Sequence, residues 1–175
     1  ITVSKSVKVA AQNIAVNLSS QSLAGFDVEI KGEEISVAAM NFDVSLTESA
    51  GTGGAIDTND ITSISLYDGN GNVVAGPVDG VAGGNNAIQF TDTVTFPIGT
   101  NTYTIKGKMG TDFLSNDQVS ASTTPSSDWS TVRGKVTGNS ITPSPASAVT
   151  ANTMTVKAAS LTVTVSPTPS AQSVV

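Results

Sequence analysis

The stretch FDVEIKGEEISVAAMNFDVSL, residues 26–46, decides the fold, because apolar and polar residues alternate through nearly all of it. Phe26, Val28 and Ile30 alternate with charged residues, which is the pattern of a strand with one face buried. The pair Glu33-Glu34 interrupts the pattern and indicates a solvated turn. The stretch therefore predicts two consecutive strands of a sheet protein.

The second of these strands changes phase. Ile35 and Val37 occupy odd positions, whereas Phe42 and Val44 occupy even ones, and the slip falls at Ala38-Ala39. A one-residue slip turns every following side chain to the opposite face unless the backbone compensates. We expect either a bulge or a crossing between two sheets at this point.

Alternation recurs along the rest of the chain, and no window favours a long helix. A row of apolar residues with Lys5 in its middle opens the chain. Turn sequences, including Asp68-Gly-Asn-Gly-Asn72, separate the runs at near-regular spacing, which is typical of an antiparallel sandwich. The apolar members of the main runs are Ile1, Val3, Val7 and Val9; Ile88, Phe90, Val94 and Phe96; Tyr103, Ile105 and Met109; and Met154, Val156, Leu161, Val163 and Val165.

These patterns predict an all-β antiparallel β-sandwich over residues 1–160, with long loops and almost no helix. Residues 161–175 are expected to form a strand and an extended tail that pair with the next repeat or subunit. The core is expected to contain Phe26, Val28, Ile30, Phe42, Val44, Leu66, Ile88, Phe90, Tyr103, Ile105 and Val156.

The last fifteen residues, LTVTVSPTPSAQSVV, resemble the first fifteen at a constant offset of 160. Five of the 15 pairs are identical, and two more pairs match one aliphatic residue with another. The identical residues are Thr162, Val163, Ser166, Ala171 and Gln172, opposite Thr2, Val3, Ser6, Ala11 and Gln12. A fixed offset of this kind indicates a repeat architecture.

Composition excludes several classes of function. The chain has 175 residues, a net charge of −6, and no Cys or His. Without these two residues it cannot form disulfides, Cys/His zinc sites or a Ser-His-Asp triad. Its eight basic residues are scattered, which disfavours nucleic acid as a partner, and no apolar run of 18 residues predicts insertion into a membrane. We expect no enzymatic activity and no cofactor.

Two acidic clusters could bind a cation, but a simpler interpretation is favoured for each. The loop that begins at Asp68 has Val73 and Asp79 where a calcium loop requires Gly and Glu, so a plain hairpin turn is expected. Asp57, Asn59 and Asp60 are expected to cap a turn or a short helix.

Trp129 and Asn17 are candidate surface residues. Trp129 is the only tryptophan and lies in a segment rich in Pro and Ser, over 123–131, that is expected to be an exposed excursion. Its ring could stack on a sugar or a partner, but we favour a structural role in covering the end of the sandwich. Asn17-Leu18-Ser19 is a glycosylation sequon, so glycans are possible at Asn17.

The chain resembles the Ig-like β-sandwich repeats of large secreted bacterial cell-surface proteins. The resemblance is carried by the order of four segments: SSQSLAGFDVEIKGEEISVAAMNFDV, DITSISLYDGNGNVVAGPV, IQFTDTVTFPIGTNTYTIKGKM and NTMTVKAASLTVTVS. It implies an Ig-like antiparallel β-sandwich and an extracellular, structural role at the cell surface, and it carries no catalytic residues. The long region 110–150 departs from the pattern and could be a contact surface.

We therefore expect a building block of an extracellular filament or surface layer that assembles head to tail through its terminal strand. Its partners would be identical subunits or adjacent repeats of the same protein. The residues expected at this interface are Leu161, Val163, Val165, Pro167, Pro169 and Val174. Three alternatives remain: an adhesin or carbohydrate-binding module, an appendage of an enzyme, and a terminal strand that folds back onto its own sandwich.

Overall fold

The computed structural model describes residues 1–49 and 55–157, which form an almost entirely β structure. One four-residue helix, α1 (Pro125–Asp128), and a 3-10 turn at Thr58–Asp60 are the helical elements of these residues. The strands β1 to β13 are, in chain order, Thr2–Lys5, Asn13–Ala15, Gln21–Ile30, Ile35–Thr47, Ile61–Tyr67, Val73–Val78, Ile88–Phe90, Val94–Phe96, Gly99–Met109, Gln118–Thr123, Trp129–Gly134, Val149–Thr150 and Met154–Lys157.

The strands build two sheets. In the first sheet the order is β1-β3-β9-β5-β6, and every neighbouring pair is antiparallel. In the second sheet the order is β11-β4-β10-β13-β2, with β7 and β8 also paired to β4 and β12 paired to β10. The pair formed by β13 and β2 is parallel. The predicted all-β, sandwich-like fold is confirmed.

The segment of residues 26–46 connects the two sheets, because β3 belongs to the first and β4 to the second. The phase slip at Ala38-Ala39 does not move β4 to another sheet. Val37 pairs with Val94 and Met40 pairs with Phe90, so three steps along β4 face four steps along its partners. β11 follows β4 step for step across the slip, with Trp129 opposite Met40 and Val132 opposite Val37, so the extra residue lies between β7 and β8. The pairing therefore shows neither of the expected solutions, a bulge in β4 or a crossing to another sheet.

The core contains all eleven predicted residues, none of which exposes more than 6% of its surface. Aromatic rings join the two sheets: Phe26 lies 5.4 Å from Phe42, and Phe96 lies 4.9 Å from Tyr103, measured between ring centroids. Tilted and edge-to-face pairs at these separations stabilise a core beyond simple burial.

The structure corrects the prediction for Trp129, whose flanking segment was expected to be an exposed excursion. The side chain is 5% exposed, and its ring stacks on Phe96 at 5.5 Å. The indole N–H donates to the Thr123 hydroxyl, which in turn donates to the backbone carbonyl of Asn41. α1 absorbs the four extra residues between β10 and β11, which both pair with β4. The favoured structural role is the one that the structure bears out.

The first apolar row was also partly wrong. Val3 is buried, but β1 ends at Lys5, and Val7 is 82% exposed. Ser6 is fully buried instead, and its N–H donates to the Gly25 carbonyl of β3 just after β1 ends. Alternation of apolar and polar residues predicts burial only within a strand, and this strand ends at Lys5.

Replacing Trp129 with Ala should lower the free energy of unfolding by about 3–5 kcal/mol, because it removes a buried aromatic ring and leaves a cavity. The control is Val7→Ala, which should change it by less than about 0.5 kcal/mol because this side chain is exposed. Urea denaturation of both variants measures the difference. Equal effects of the two substitutions would contradict the assigned positions.

Candidate functional site

The N-terminal segment, residues 1–16, is held by both sheets. Its first part, β1, pairs with β3 in the first sheet, with Val3 opposite Val28. Its last part, β2, pairs with β13 in the second sheet, with Ile14 opposite Val156. Val3 and Ile14 are 2% and 3% exposed. One short segment thus completes both layers of the sandwich.

The free edge of β1 is closed by a distant residue. The N–H of Val3 donates to the Ser144 carbonyl at 2.8 Å, and the N–H of Ser144 donates to the Ile1 carbonyl at 3.0 Å. The Ser144 hydroxyl also contacts that of Thr2 at 3.1 Å. These bonds satisfy backbone groups that an edge strand otherwise leaves open.

The crossing part, residues 6–12, is not a strand but has its own contacts. The Asn152 side-chain amide donates to the Val9 carbonyl at 2.8 Å. Val9 lies so close to Gly25 that a Cβ at Gly25 would come within 2.3 Å of it. Gly25 is therefore needed for the close approach of this segment to the first sheet. At the end of the crossing, the N–H of Thr155 donates to the Gln12 carbonyl at 3.0 Å.

The roles of residues 1–16 explain which of them recur in residues 161–175. The buried residues Val3, Ser6 and Ile14 correspond to Val163, Ser166 and Val174. Val7 and Val9, which correspond to Pro167 and Pro169, lie in the crossing part, where no β ladder is formed. Proline is tolerated at such positions because no ladder hydrogen bond is lost.

The predicted interface residues Leu161, Val163, Val165, Pro167, Pro169 and Val174 all lie outside the described residues. Their predicted contacts therefore stay predictions. What the structure supplies is the place that the equivalent first segment occupies in one unit, which we call the first-segment site. It consists of the edge of β3, the face over Gly25 and the edge of β13.

The chain enters and leaves the described unit at opposite ends. Thr2 pairs with Glu29 near one end of β3, whereas Gln21 begins the strand at the other end, about 26 Å away at 3.3 Å per residue. Lys157 lies at this second end, because it pairs with Ala15, whose N–H donates to the Gln21 side-chain oxygen at 3.1 Å. We call the two poles the entry end and the exit end.

A polar groove of about 740 Å³ lies beside the first-segment site. Its walls include the Asp68 turn, Thr102 and Lys106, and its rim includes Lys8 and Val9 of the N-terminal segment. The Lys106 ammonium group lies 4.5 Å from the centre of the Tyr67 ring. Burial, with a smaller contribution from the negative charge of Asp68, raises the pKa of Tyr103 in its wall to about 12, so this phenol stays neutral at ordinary pH.

The acidic clusters behave as structural caps. Asp68 accepts hydrogen bonds from the backbone of Asn70 and Asn72 and from the Asn72 side chain, which closes the β5–β6 hairpin as predicted. Asp57 and Asp60 form a capping box on the 3-10 turn. Among residues 1–49 and 55–157, no three acidic side chains come together as a potential metal site.

Glu33 has a specific role that the sequence did not reveal. Its carboxylate accepts from the backbone N–H groups of Val136 and Thr137, at 2.6 and 3.0 Å, and from the Thr137 hydroxyl at 2.6 Å. The turn after β11 is thereby fixed against the turn between β3 and β4. More than 100 residues separate these partners, so no local pattern could have indicated the contact.

The remaining candidates lie on the surface or within the sheets. Asn17 is exposed in a turn with φ 55°, so its side chain is accessible, and its N–H donates to the Met109 carbonyl. Region 110–150 supplies β10, β11 and β12, which makes much of it part of the second sheet. In the described part of the chain, no helix is long and apolar enough to cross a membrane.

Stability should fall as the pH is lowered below about 4.5. Hydrogen bonds lower the pKa of four carboxyl groups. The largest contribution comes from the Thr137 hydroxyl for Glu33, from the Gly83 N–H for Asp57 and from the Asn72 side chain for Asp68. For Asp117, burial raises the pKa, but bonds from Ser49 and Leu114 outweigh it. Because the unfolded chain binds these protons more readily, acid favours unfolding.

Urea denaturation between pH 7 and pH 2 measures this dependence. Glu33→Gln should be less stable than the parent at pH 7, and the two curves should converge in acid, where the Glu33 contribution is lost. A parent stability that rises as the pH falls from 6 to 3 would contradict the prediction.

Comparison of the chain with protein-family models, with curated proteins and with solved structures finds no match in any of the three. A function is therefore inferred from the geometry of the first-segment site and from the similarity of residues 161–175 to residues 1–15.

Proposed function

We propose that the chain is a structural unit of an extracellular filament or surface layer, joined end to end to further units through its terminal segment. The observation that carries the proposal is the match between residues 161–175 and the buried positions of residues 1–15. Val163 and Val174 supply aliphatic side chains where Val3 and Ile14 fill the two sheets. The partners are identical subunits or adjacent repeats of the same protein.

Occupation of the first-segment site favours this use of the second copy. Residues 1–16 already fill the edges of β3 and β13, so a second segment of the same type has no equivalent place in its own unit. It can serve as the first segment of a following unit on the same chain. In a filament of separate chains it would have to displace the resident segment, as in strand exchange.

The positions of Thr2 and Lys157 at opposite ends of the unit support a linear arrangement of units. The chain enters at one pole and leaves at the other, so successive units can follow one another without a long return connection. A head-to-tail contact that does not close on itself gives an open filament. The location outside the cell rests on the resemblance to surface-protein repeats.

A segment exchange tests the central claim. In the exchanged chain, residues 161–175 replace residues 1–15, and residues 16–175 follow unchanged. The exchanged chain should fold, with a melting temperature within about 4 °C of the parent, the change expected from about 1 kcal/mol in a unit of this size. Its far-UV circular dichroism should match that of the parent. Thermal unfolding monitored by circular dichroism provides both measurements.

Two substitutions in the first segment of the exchanged chain form a matched pair. Val163→Asp places a charge at the buried position of Val3 and should destabilise by about 3 kcal/mol or more. Thr168→Asp adds the same charge at the exposed position of Lys8 and should change stability by about 0.5 kcal/mol or less. An exchanged chain that does not fold, or equal effects of the two substitutions, would refute the equivalence of the segments.

The competing function is an adhesin or carbohydrate-binding module. Trp129 is buried and does not serve such a site, but the groove beside Asp68 offers polar walls and enough volume for a sugar residue. Electron microscopy of the native assembly distinguishes the two functions. Fibres or a lattice support the structural unit, whereas dispersed particles that bind glycans support the adhesin.

A further inference from the structure

The exit end carries an exposed apolar side chain close to the departing chain. Leu18 is 54% exposed and follows Asn17, whose N–H donates to the Met109 carbonyl at the end of β9. Ala15, three residues earlier, pairs with Lys157, the last described residue of β13. Leu18 therefore lies on the surface from which the chain continues.

The entry end carries a recess of about 520 Å³ next to the first residue of the chain, with Lys31, Glu33 and Thr137 among its polar lining. Ile1, Ile35, Val136 and Ile141 supply its apolar walls. Val136 is 86% exposed, yet the hydrogen bonds from its N–H and that of Thr137 to Glu33 hold its turn in one place. A fixed turn that presents an apolar side chain suits a docking surface.

The short connection between successive units limits which surface can cover this recess. Residue 161 corresponds to Ile1 in the offset of 160, and Lys157 is still part of β13. Only residues 158–160 lie between them, so the two Cα atoms at positions 157 and 161 can be at most about 14 Å apart. The exit end of one unit must then lie against the entry end of the next.

We propose that the recess at the entry end is the docking surface for the exit end of the preceding unit, with Leu18 of that unit as the apolar contact. This inference rests on the proposed function, because it requires residues 161–175 to begin a following unit. It adds a specific interface to the covalent joint. Docking makes the joint stiff, whereas a joint without it would let the units swing freely.

A two-unit chain tests the interface. It consists of residues 1–175 followed by residues 16–175, so that the first copy of 161–175 opens the second unit. The inner substitutions are Leu18→Asp in the first unit and Val136→Asp in the second. The outer substitutions are Leu18→Asp in the second unit and Val136→Asp in the first, where the substituted end faces no other unit. Inner and outer variants thus have identical compositions.

Each inner substitution should lower the melting temperature by about 3 °C or more, and each outer substitution by less than about 1 °C. The inner pair combined should cost less than the sum of its members, because both remove the same contact. Small-angle scattering should show a rod of two units in the parent and a broader distribution of lengths in the inner variants.

The outcomes separate this inference from the proposed function. If both units fold but inner and outer substitutions have equal effects, the docking surface is refuted and the end-to-end arrangement stands. If the second unit does not fold, with an unfolding enthalpy no larger than that of residues 1–175, residues 161–175 cannot fill the first-segment site. Both proposals then fail.

Discussion

The structure depends on the contact between its two sheets, and aromatic rings provide the centre of that contact. Phe26 of the first sheet meets Phe42 of the second, and Tyr103 of the first meets Phe96 of the second. Trp129 extends the cluster by stacking on Phe96. Because protein cores are close-packed, these rings fix the spacing of the sheets and thereby the distance that the N-terminal segment has to bridge.

The N-terminal segment, residues 1–16, pairs with both sheets, and this limits how many such segments one unit can hold. β1 and β2 are separated by seven residues, which cross from one layer to the other over Gly25. The segment can be supplied once per unit, since its ladder partners on β3 and β13 each have one edge available for it. A second, similar segment within the chain would therefore have no equivalent place in that unit. This is the physical reason for assigning it to a neighbour.

The strands and the core could be predicted from the sequence because alternation is a local signal. Contacts between distant residues could not: Trp129 has Pro and Ser neighbours that suggest a loop, and its burial depends on the distant rings of Phe42 and Phe96. Ser144 and Glu33 escaped notice for the same reason, since their partners lie more than 100 residues away. Val7 was misplaced because alternation does not show where a strand ends. The terminal interface residues stay a prediction.

The topology also constrains how successive units are oriented, if residue 161 begins the next one. The chain leaves a unit from β13, in the second sheet, and β1 of the following unit belongs to the first sheet. The connection of three residues spans at most about 14 Å, only slightly more than the roughly 10 Å between two packed sheets, so it leaves little freedom of rotation between units. The second sheet of one unit must lie close to the line of the first sheet of the next. Each unit is then offset or turned relative to its predecessor in the same sense, and repetition of one such step generates a helical filament.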